Sequence, residues 1–95
     1  MSMKIKIADL TPNIGNFILV AKVVEKSKEA AWGAKEYASA IIEDETGRIT
    51  LNLHENQVDQ VEVGQNVRIS GAFTEINGKF LEISSWKKIE LVKDY

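Results

Sequence analysis

The chain has 95 residues, of which 44% are hydrophobic and 27% charged, with a formal net charge of -2 and no cysteine. This length predicts one domain over residues 1–95, and the missing cysteine excludes a disulfide framework, a zinc–thiolate site and thiol catalysis. A cytoplasmic protein is expected, because the N-terminus does not read as a signal peptide and no apolar run approaches the about 20 residues that span a bilayer.

The first half of the sequence predicts three strands. Residues 7–13 read as a lead-in that docks Leu10 on the core, and residues 16–28 alternate as a long strand. Residues 29–35 are predicted to be a loop, although helix propensity alone would also allow a helix there. Two alternating runs then flank the sequence DETG at 44–47, which is a tight hairpin signal.

The second half adds two strands. Residues 54–65 suggest a short helical turn or connector, and residues 66–76 form a strand in which Gly71 marks a bulge or bend. The pair Asn77-Gly78 is the strongest hairpin signal of the chain, and residues 79–92 complete the last strand. Five strands, some long and bent, predict an all-β fold in which a small closed barrel suits the chain better than a sandwich.

Three segments of the sequence resemble the archaeal single-stranded-DNA-binding proteins: LTPNIGNFILVAKVVE, IIEDETGRITLNLHE and VEVGQNVRISGAFTEINGKFLEISSWKKIELV. The most specific feature is the order of the DETG hairpin, the VEVGQNV connector, the strand end GAF and the NG turn. The chain is also similar to the DNA-binding domains of replication protein A. The resemblance implies a five-stranded OB-fold Greek-key barrel that binds single-stranded DNA in replication or repair, without catalysis.

Such binding requires aromatic rings that stack on bases and cations that follow phosphates. On the predicted third strand, Arg48, Thr50, Asn52 and His54 point away from the apolar row, so they face outward. His54 occupies the place where the family usually has a stacking tryptophan; imidazole can also stack, and when protonated it can pair with phosphate. The alternative is an ordinary exposed residue at a strand end.

The other candidates depend more on the resemblance. Phe73 takes the place of a second stacking ring, although simple alternation would put it in the core unless a bulge at Gly71 turns it outward. The family often has a third aromatic residue in the last hairpin loop, where this chain has Glu75, Ile76 and Asn77. The residues assigned to nucleic-acid binding are Trp32, Lys35, Tyr37, Arg48, Thr50, Asn52, His54, Phe73, Lys79 and Trp86.

No catalytic signature is present, so the sequence predicts no enzyme, and a single histidine without cysteine predicts neither cofactor nor metal. A second hypothesis is an OB module for protein–protein contact, as a subunit of a replication or repair assembly, because the net charge is negative and the aromatic set is thinned. Single-stranded RNA stays an alternative ligand, replication or repair proteins are candidate partners, no membrane partner is expected, and the oligomeric state is not specified.

Overall fold

A computed structural model describes residues 3–27, 30–32, 35–87 and 89–93, with the backbone alone for residues 30–32, 35 and 36. The elements within these ranges are β1 (Met3–Lys4), β2 (Gly15–Lys26), β3 (Ala30–Trp32), β4 (Lys35–Asp44), β5 (Gly47–His54), α1 (Asn56–Gln60), β6 (Asn66–Asn77), β7 (Phe80–Ser85) and β8 (Glu90–Val92). A 3-10 turn, Ile7–Asp9, lies between β1 and β2. None of the described helices has the length and apolar character needed to cross a membrane.

Five of the strands close into a barrel in the order β2, β4, β5, β7 and β6, with β6 pairing back onto β2. The β5–β7 pair is parallel, and the other barrel pairs are antiparallel. β1, β3 and β8 extend the edges of these strands, and α1 joins β5 to β6. The prediction of an all-β, five-stranded barrel with a short helical connector is confirmed.

The barrel interior is filled by the alternating apolar side chains of the strands. Ile49, Leu51 and Leu53 of β5 are buried, as their alternation predicts. Leu10 of the lead-in is also buried, which confirms the predicted docking, and it packs in the same core as Val58 of α1. This inward set leaves the polar residues of β5 on the outside of the barrel.

A β-bulge at Gly71 decides which way Phe73 faces. Leu19 of β2 pairs with Ile69, whereas Phe17 pairs with Ala72, so β6 has one extra residue between these two pairs. Gly71 has a φ of +57°, a conformation that L side chains rarely adopt. The bulge puts Ala72 into the core and turns Phe73 outward, to a half-buried position. The hypothesis of a bulge that reverses the alternation is therefore correct.

Two predicted boundaries are wrong. The segment predicted as a loop contains β3, which pairs with the beginning of β4 through Ala30↔Tyr37 and Trp32↔Lys35. This antiparallel pairing is local in the sequence, and its backbone hydrogen bonds form a strand where the side-chain pattern gave only a weak signal. The last predicted strand is broken, because the Ser85 hydroxyl accepts a hydrogen bond from the Lys87 N–H at 3.1 Å and so turns the chain before β8.

The β4–β5 hairpin is fixed by the buried carboxylate of Asp44. Its oxygens accept hydrogen bonds from the N–H groups of Ile7, Thr46 and Gly47 at 2.9, 2.7 and 3.2 Å, and from the Thr46 hydroxyl at 2.5 Å. Burial acts to raise the pKa of Asp44, but these hydrogen bonds to the ionised form outweigh it, and the pKa lies below its ordinary value. One carboxylate thus joins the hairpin turn to the segment before β2.

Candidate nucleic-acid interface

The outward side chains of four adjacent barrel strands form one continuous surface, which we call the outer face. Strand register aligns Tyr37 with His54, Ser39 with Asn52, and Phe73 with Ser84. The outer face consists of Tyr37, Ser39, Ile41 and Glu43 from β4, Arg48, Thr50, Asn52 and His54 from β5, Phe80, Glu82 and Ser84 from β7, and Phe73, Glu75 and Asn77 from β6.

Four rings gather at one end of the outer face. Trp86 is 83% exposed and stacks on Phe73, with ring centroids 4.8 Å apart and planes 23° from parallel. The rings of Tyr37 and His54 meet edge to face at 5.9 Å. His54, Phe73 and Trp86 line an open groove of about 600 Å³, which we call the aromatic groove. Exposed rings beside an open groove provide the platforms on which bases stack.

The buried side chain of Gln57 in α1 links three residues at the aromatic groove by hydrogen bonds. Its Nε2 donates to the carbonyl oxygens of Ser85 and Lys87, both at 2.9 Å, and its Oε1 accepts from the His54 N–H at 3.1 Å. These three bonds fix the residues on either side of Trp86 relative to the end of β5. Sequence reasoning missed Gln57, because a polar residue in a polar connector gives no local sign of burial.

The middle of the outer face carries four linked polar side chains, which we call the acceptor strip: Asn52, Glu75, Glu82 and Ser84. Asn52 Nδ2 donates to Glu75 Oε2 at 3.1 Å and to Glu82 Oε1 at 2.9 Å. The Ser84 hydroxyl donates to Glu75 Oε2 at 2.6 Å. Sequence reasoning did not assign the two glutamates to the site, because their meeting depends on the β6–β7 register that pairs them.

A second aromatic position lies at the far end of the outer face. Phe80 is 71% exposed and lines, with Ile41 and Leu81, a shallow groove of about 510 Å³ that Arg48 and Thr50 border. Sequence reasoning also missed Phe80, although the alternation of β7 puts it on the same face as Glu82. The exposed ring of Phe80 thus stands at the beginning of β7, directly after the turn that follows Asn77.

The structure brings some of the predicted residues together and separates others. His54, Phe73 and Trp86 line the aromatic groove with Tyr37 beside it, and Asn52 and Thr50 lie in the middle of the outer face. The remaining predicted residues lie further away or outside the described side chains: Arg48 and the exposed Lys79 are near the far end, whereas Trp32 and Lys35 pair by their backbones in the β3–β4 hairpin, and their side chains are not described.

Two of the described cations stand at the ends of the outer face. The exposed Lys87 lies beside Trp86, and Arg48 at the opposite end is paired with Glu43, Nε to Oε1, at 3.5 Å. A larger concavity of about 790 Å³ lies between α1 and β8, but its described lining is aliphatic and polar, without a ring for stacking. Among the described residues no group of three or more metal-ligating side chains is found.

The closed barrel and the ringed groove on its outer face define an OB-fold protein of the class that binds single-stranded nucleic acid. Residues 10–91 match the model of the family described as "Single-stranded DNA binding protein Ssb-like, OB fold". The chain therefore belongs to the Ssb-like family of single-stranded-DNA-binding proteins.

Individual relatives agree with this assignment. The chain is 32% identical over 76 residues to the single-stranded DNA binding protein Ssb of Saccharolobus solfataricus, and spans about half (51%) of the length of that relative. A crystal structure of a domain of replication protein A from Methanococcus maripaludis superposes with a TM-score of 0.83 and 28% identity, covering 96% of this chain and 97% of that one. The solution structure of the second OB-fold domain of the same organism's replication protein A superposes with a TM-score of 0.73 and 25% identity, covering 98% of each chain.

Proposed function

We propose that the chain binds single-stranded DNA in replication, by base stacking in the aromatic groove together with cations at the ends of the outer face. The observation that carries this proposal is the Phe73–Trp86 stack, because an 83% exposed tryptophan beside an open groove leaves a large ring uncovered in the unbound protein. Family membership supports the same conclusion, since the matching family is named for this ligand.

Each ring has a defined part in this binding. Trp86 is the first stacking platform, supported by the stacked ring of Phe73, and His54 lines the same groove with the ring of Tyr37 edge to face against it. Base stacking contributes about 1–3 kcal/mol per base and tolerates sequence, because every base has a π-face. Lys87 beside the groove, with Arg48 and Lys79 at the far end, would contact phosphates. Trp32 and Lys35 belong to the proposed interface through their place in the β3–β4 hairpin next to Tyr37.

The proposal extends to the setting of the protein. Residues 1–95 would work as one OB domain, in the cytoplasm, in DNA repair as well as replication, with other proteins of these assemblies as partners. The exclusive use of the barrel for protein–protein contact is not favoured, because the family match and the exposed rings both indicate a nucleic-acid ligand. The family is named for binding and not for a reaction, and we propose no catalytic role.

Titration of intrinsic tryptophan fluorescence with a mixed-sequence 12-nucleotide single strand tests the proposal. Binding should quench the fluorescence, and the logarithm of the affinity should fall with the logarithm of salt by about 0.7 per phosphate neutralised. The affinity is also measured for the same sequence as a DNA duplex and as single-stranded RNA, and single-stranded DNA should bind tightest. The Trp86→Phe variant keeps a ring in the groove, so it should still bind while losing the part of the quenching that Trp86 contributes. Unchanged fluorescence, with no retention of the strand at micromolar protein, would contradict the proposal.

A further inference from the structure

The middle of the outer face presents hydrogen-bond acceptors. Because both neighbours of the Asn52 amide are carboxylates, the amide must turn its NH₂ group toward them, and the two bonds to Glu75 and Glu82 use both of its hydrogens. Only Oδ1 of Asn52 remains for a ligand, and Oδ1 is an acceptor. The Ser84 hydrogen is likewise occupied, in the bond to Glu75. The acceptor strip thus offers carboxylate and amide oxygens, and its amide and hydroxyl hydrogens are occupied.

This strip lies on the path that a strand would follow between the two ring-bearing ends of the outer face. On one side is the aromatic groove, which Glu75 also lines, and on the other is the groove of Phe80, which Glu82 also lines. A phosphate above the strip would face two carboxylates, and like charges at such short range repel. Phosphates would therefore lie toward Lys87 and Arg48 at the ends, and the strip would face bases.

We infer that the acceptor strip gives the groove a base preference, favouring bases with an exocyclic amino group over thymine and uracil. This inference rests on the proposed binding of single-stranded DNA. Cytosine presents an N4 amino donor where uracil presents the O4 carbonyl acceptor, and the two rings are otherwise nearly equal in size and stacking surface. A carboxylate accepts a charge-assisted hydrogen bond from the amino group, whereas the one ring donor of uracil, N3–H, stands between two carbonyl oxygens that a carboxylate repels.

The wild-type protein alone gives the first test. Affinities are measured by anisotropy of 5′-labelled 12-nucleotide strands at pH 7.5, comparing dC12 with dU12, and 5-methylcytosine with thymine in the same length. The two bases of each pair differ only at ring positions 3 and 4. Neither the stacking area nor the methyl group therefore differs within a pair. The amino-bearing strand should bind about tenfold tighter in both pairs, the effect of one net charge-assisted hydrogen bond.

Variants then show whether the carboxylates cause the preference. Glu75→Gln and Glu82→Gln keep side-chain size but replace one oxygen by an NH₂ group, which can donate to O4 of uracil. Each variant should reduce the dC12-to-dU12 ratio to about twofold or less, mainly by strengthening the binding of dU12. Glu90→Gln on β8 is the matched control, because it makes the same change of net charge at an exposed position outside the outer face. It should leave the ratio unchanged.

The outcomes separate this inference from the proposed function. Binding of neither strand of either pair contradicts the proposed function and the preference with it. Binding of both strands with equal affinity by the wild type leaves the proposed function intact and overturns the preference. A cytosine preference that persists in both glutamine variants, each shown by thermal melting to be folded, also overturns it, because the selection would then come from other groups.

Discussion

At the start of β5 a carboxylate is buried and hydrogen-bonded within the protein, whereas at its end the exposed His54 ring meets the ring of Tyr37. The Asp44 carboxylate before β5 is 4% exposed and accepts bonds from three backbone N–H groups and a hydroxyl. Ten residues further along the chain, at the end of the strand, His54 is exposed and its ring meets that of Tyr37 edge to face. Both ends of β5 belong to the β4–β5 hairpin, so the kind of secondary structure does not explain why one end is buried and the other exposed.

The difference separates groups that stabilise the fold from groups whose surface is available to a ligand. Hydrogen bonds to a buried carboxylate stabilise the fold, because breaking them leaves buried donors without partners. An exposed tryptophan contributes little to folding and keeps its apolar surface for a ligand. Substitutions at the hairpin end should therefore change stability, and substitutions at the groove end should change binding.

Asp44→Ala should have the largest effect. It removes the acceptor of the N–H groups of Ile7, Thr46 and Gly47, so both the hairpin turn and the docking of the preceding segment lose their bonds. The free energy of unfolding, measured by urea denaturation, should fall by about 3 kcal/mol. Binding of single-stranded DNA under conditions where the variant is folded should change by less than about twofold. An equal loss of stability and affinity would contradict the separation of the two ends.

The Asp44 carboxylate should also make the free energy of unfolding fall as the pH is lowered. Since the pKa of Asp44 is lower in the folded protein than in the unfolded chain, its contribution is present above the ordinary aspartate pKa and is lost as pH falls through the lowered value. Urea denaturation between pH 6 and about pH 2.5 should show a steeper loss for the wild type than for Asp44→Asn. The exposed Asp59 is the matched control, and Asp59→Asn should retain the wild-type slope.

Trp86→Ala should have the next largest effect, now on binding. Loss of the stacking platform should weaken the affinity for a 12-nucleotide strand by about 2 kcal/mol, measured by anisotropy of a labelled strand. Stability should change by less than about 0.5 kcal/mol, because the side chain is 83% exposed. Leu91→Ala removes an exposed apolar side chain from β8 and should leave affinity unchanged. Equal effects of the two substitutions would show that the groove is not the binding site.

The sequence predicts the barrel well and the site only in part. The alternation of Ile49, Leu51 and Leu53 is enough to place the polar row of β5 outside, and glycine marks the bulge on β6. The pairing of Glu75 with Glu82 depends on register between strands, which no local pattern encodes. The end of β7 was not predictable either, since it depends on hydrogen bonds that Gln57 donates across the fold to the carbonyl oxygens of Ser85 and Lys87.

Gly71→Ala should link the two regions, because the bulge serves both the core and the groove. The added Cβ would meet the Lys87 side chain at 3.1 Å, and the positive φ strains any L residue. Stability should fall by about 1.5 kcal/mol, and affinity should also fall, because Phe73 and Trp86 depend on the bulge for their position. Gly15→Ala is the control, since its Cβ would lie 3.8 Å from the Phe73 Cβ, which is an ordinary van der Waals distance. An unchanged affinity would show that the groove tolerates a shift of β6.

His54→Trp should have the smallest effect, and it tests whether the groove is underfilled. The histidine lines the aromatic groove together with Trp86, and its small ring offers less stacking area than an indole ring. A larger ring at this exposed strand end should strengthen binding of a 12-nucleotide strand by about 1 kcal/mol, and His54→Ala should weaken it by a similar amount. Neither change should alter the free energy of unfolding by more than about 0.5 kcal/mol. Val63→Trp adds the same ring at an exposed position outside the groove and should leave affinity unchanged. If both His54 variants bind like the wild type, the strand passes over Trp86 and Phe73 without reaching the end of β5.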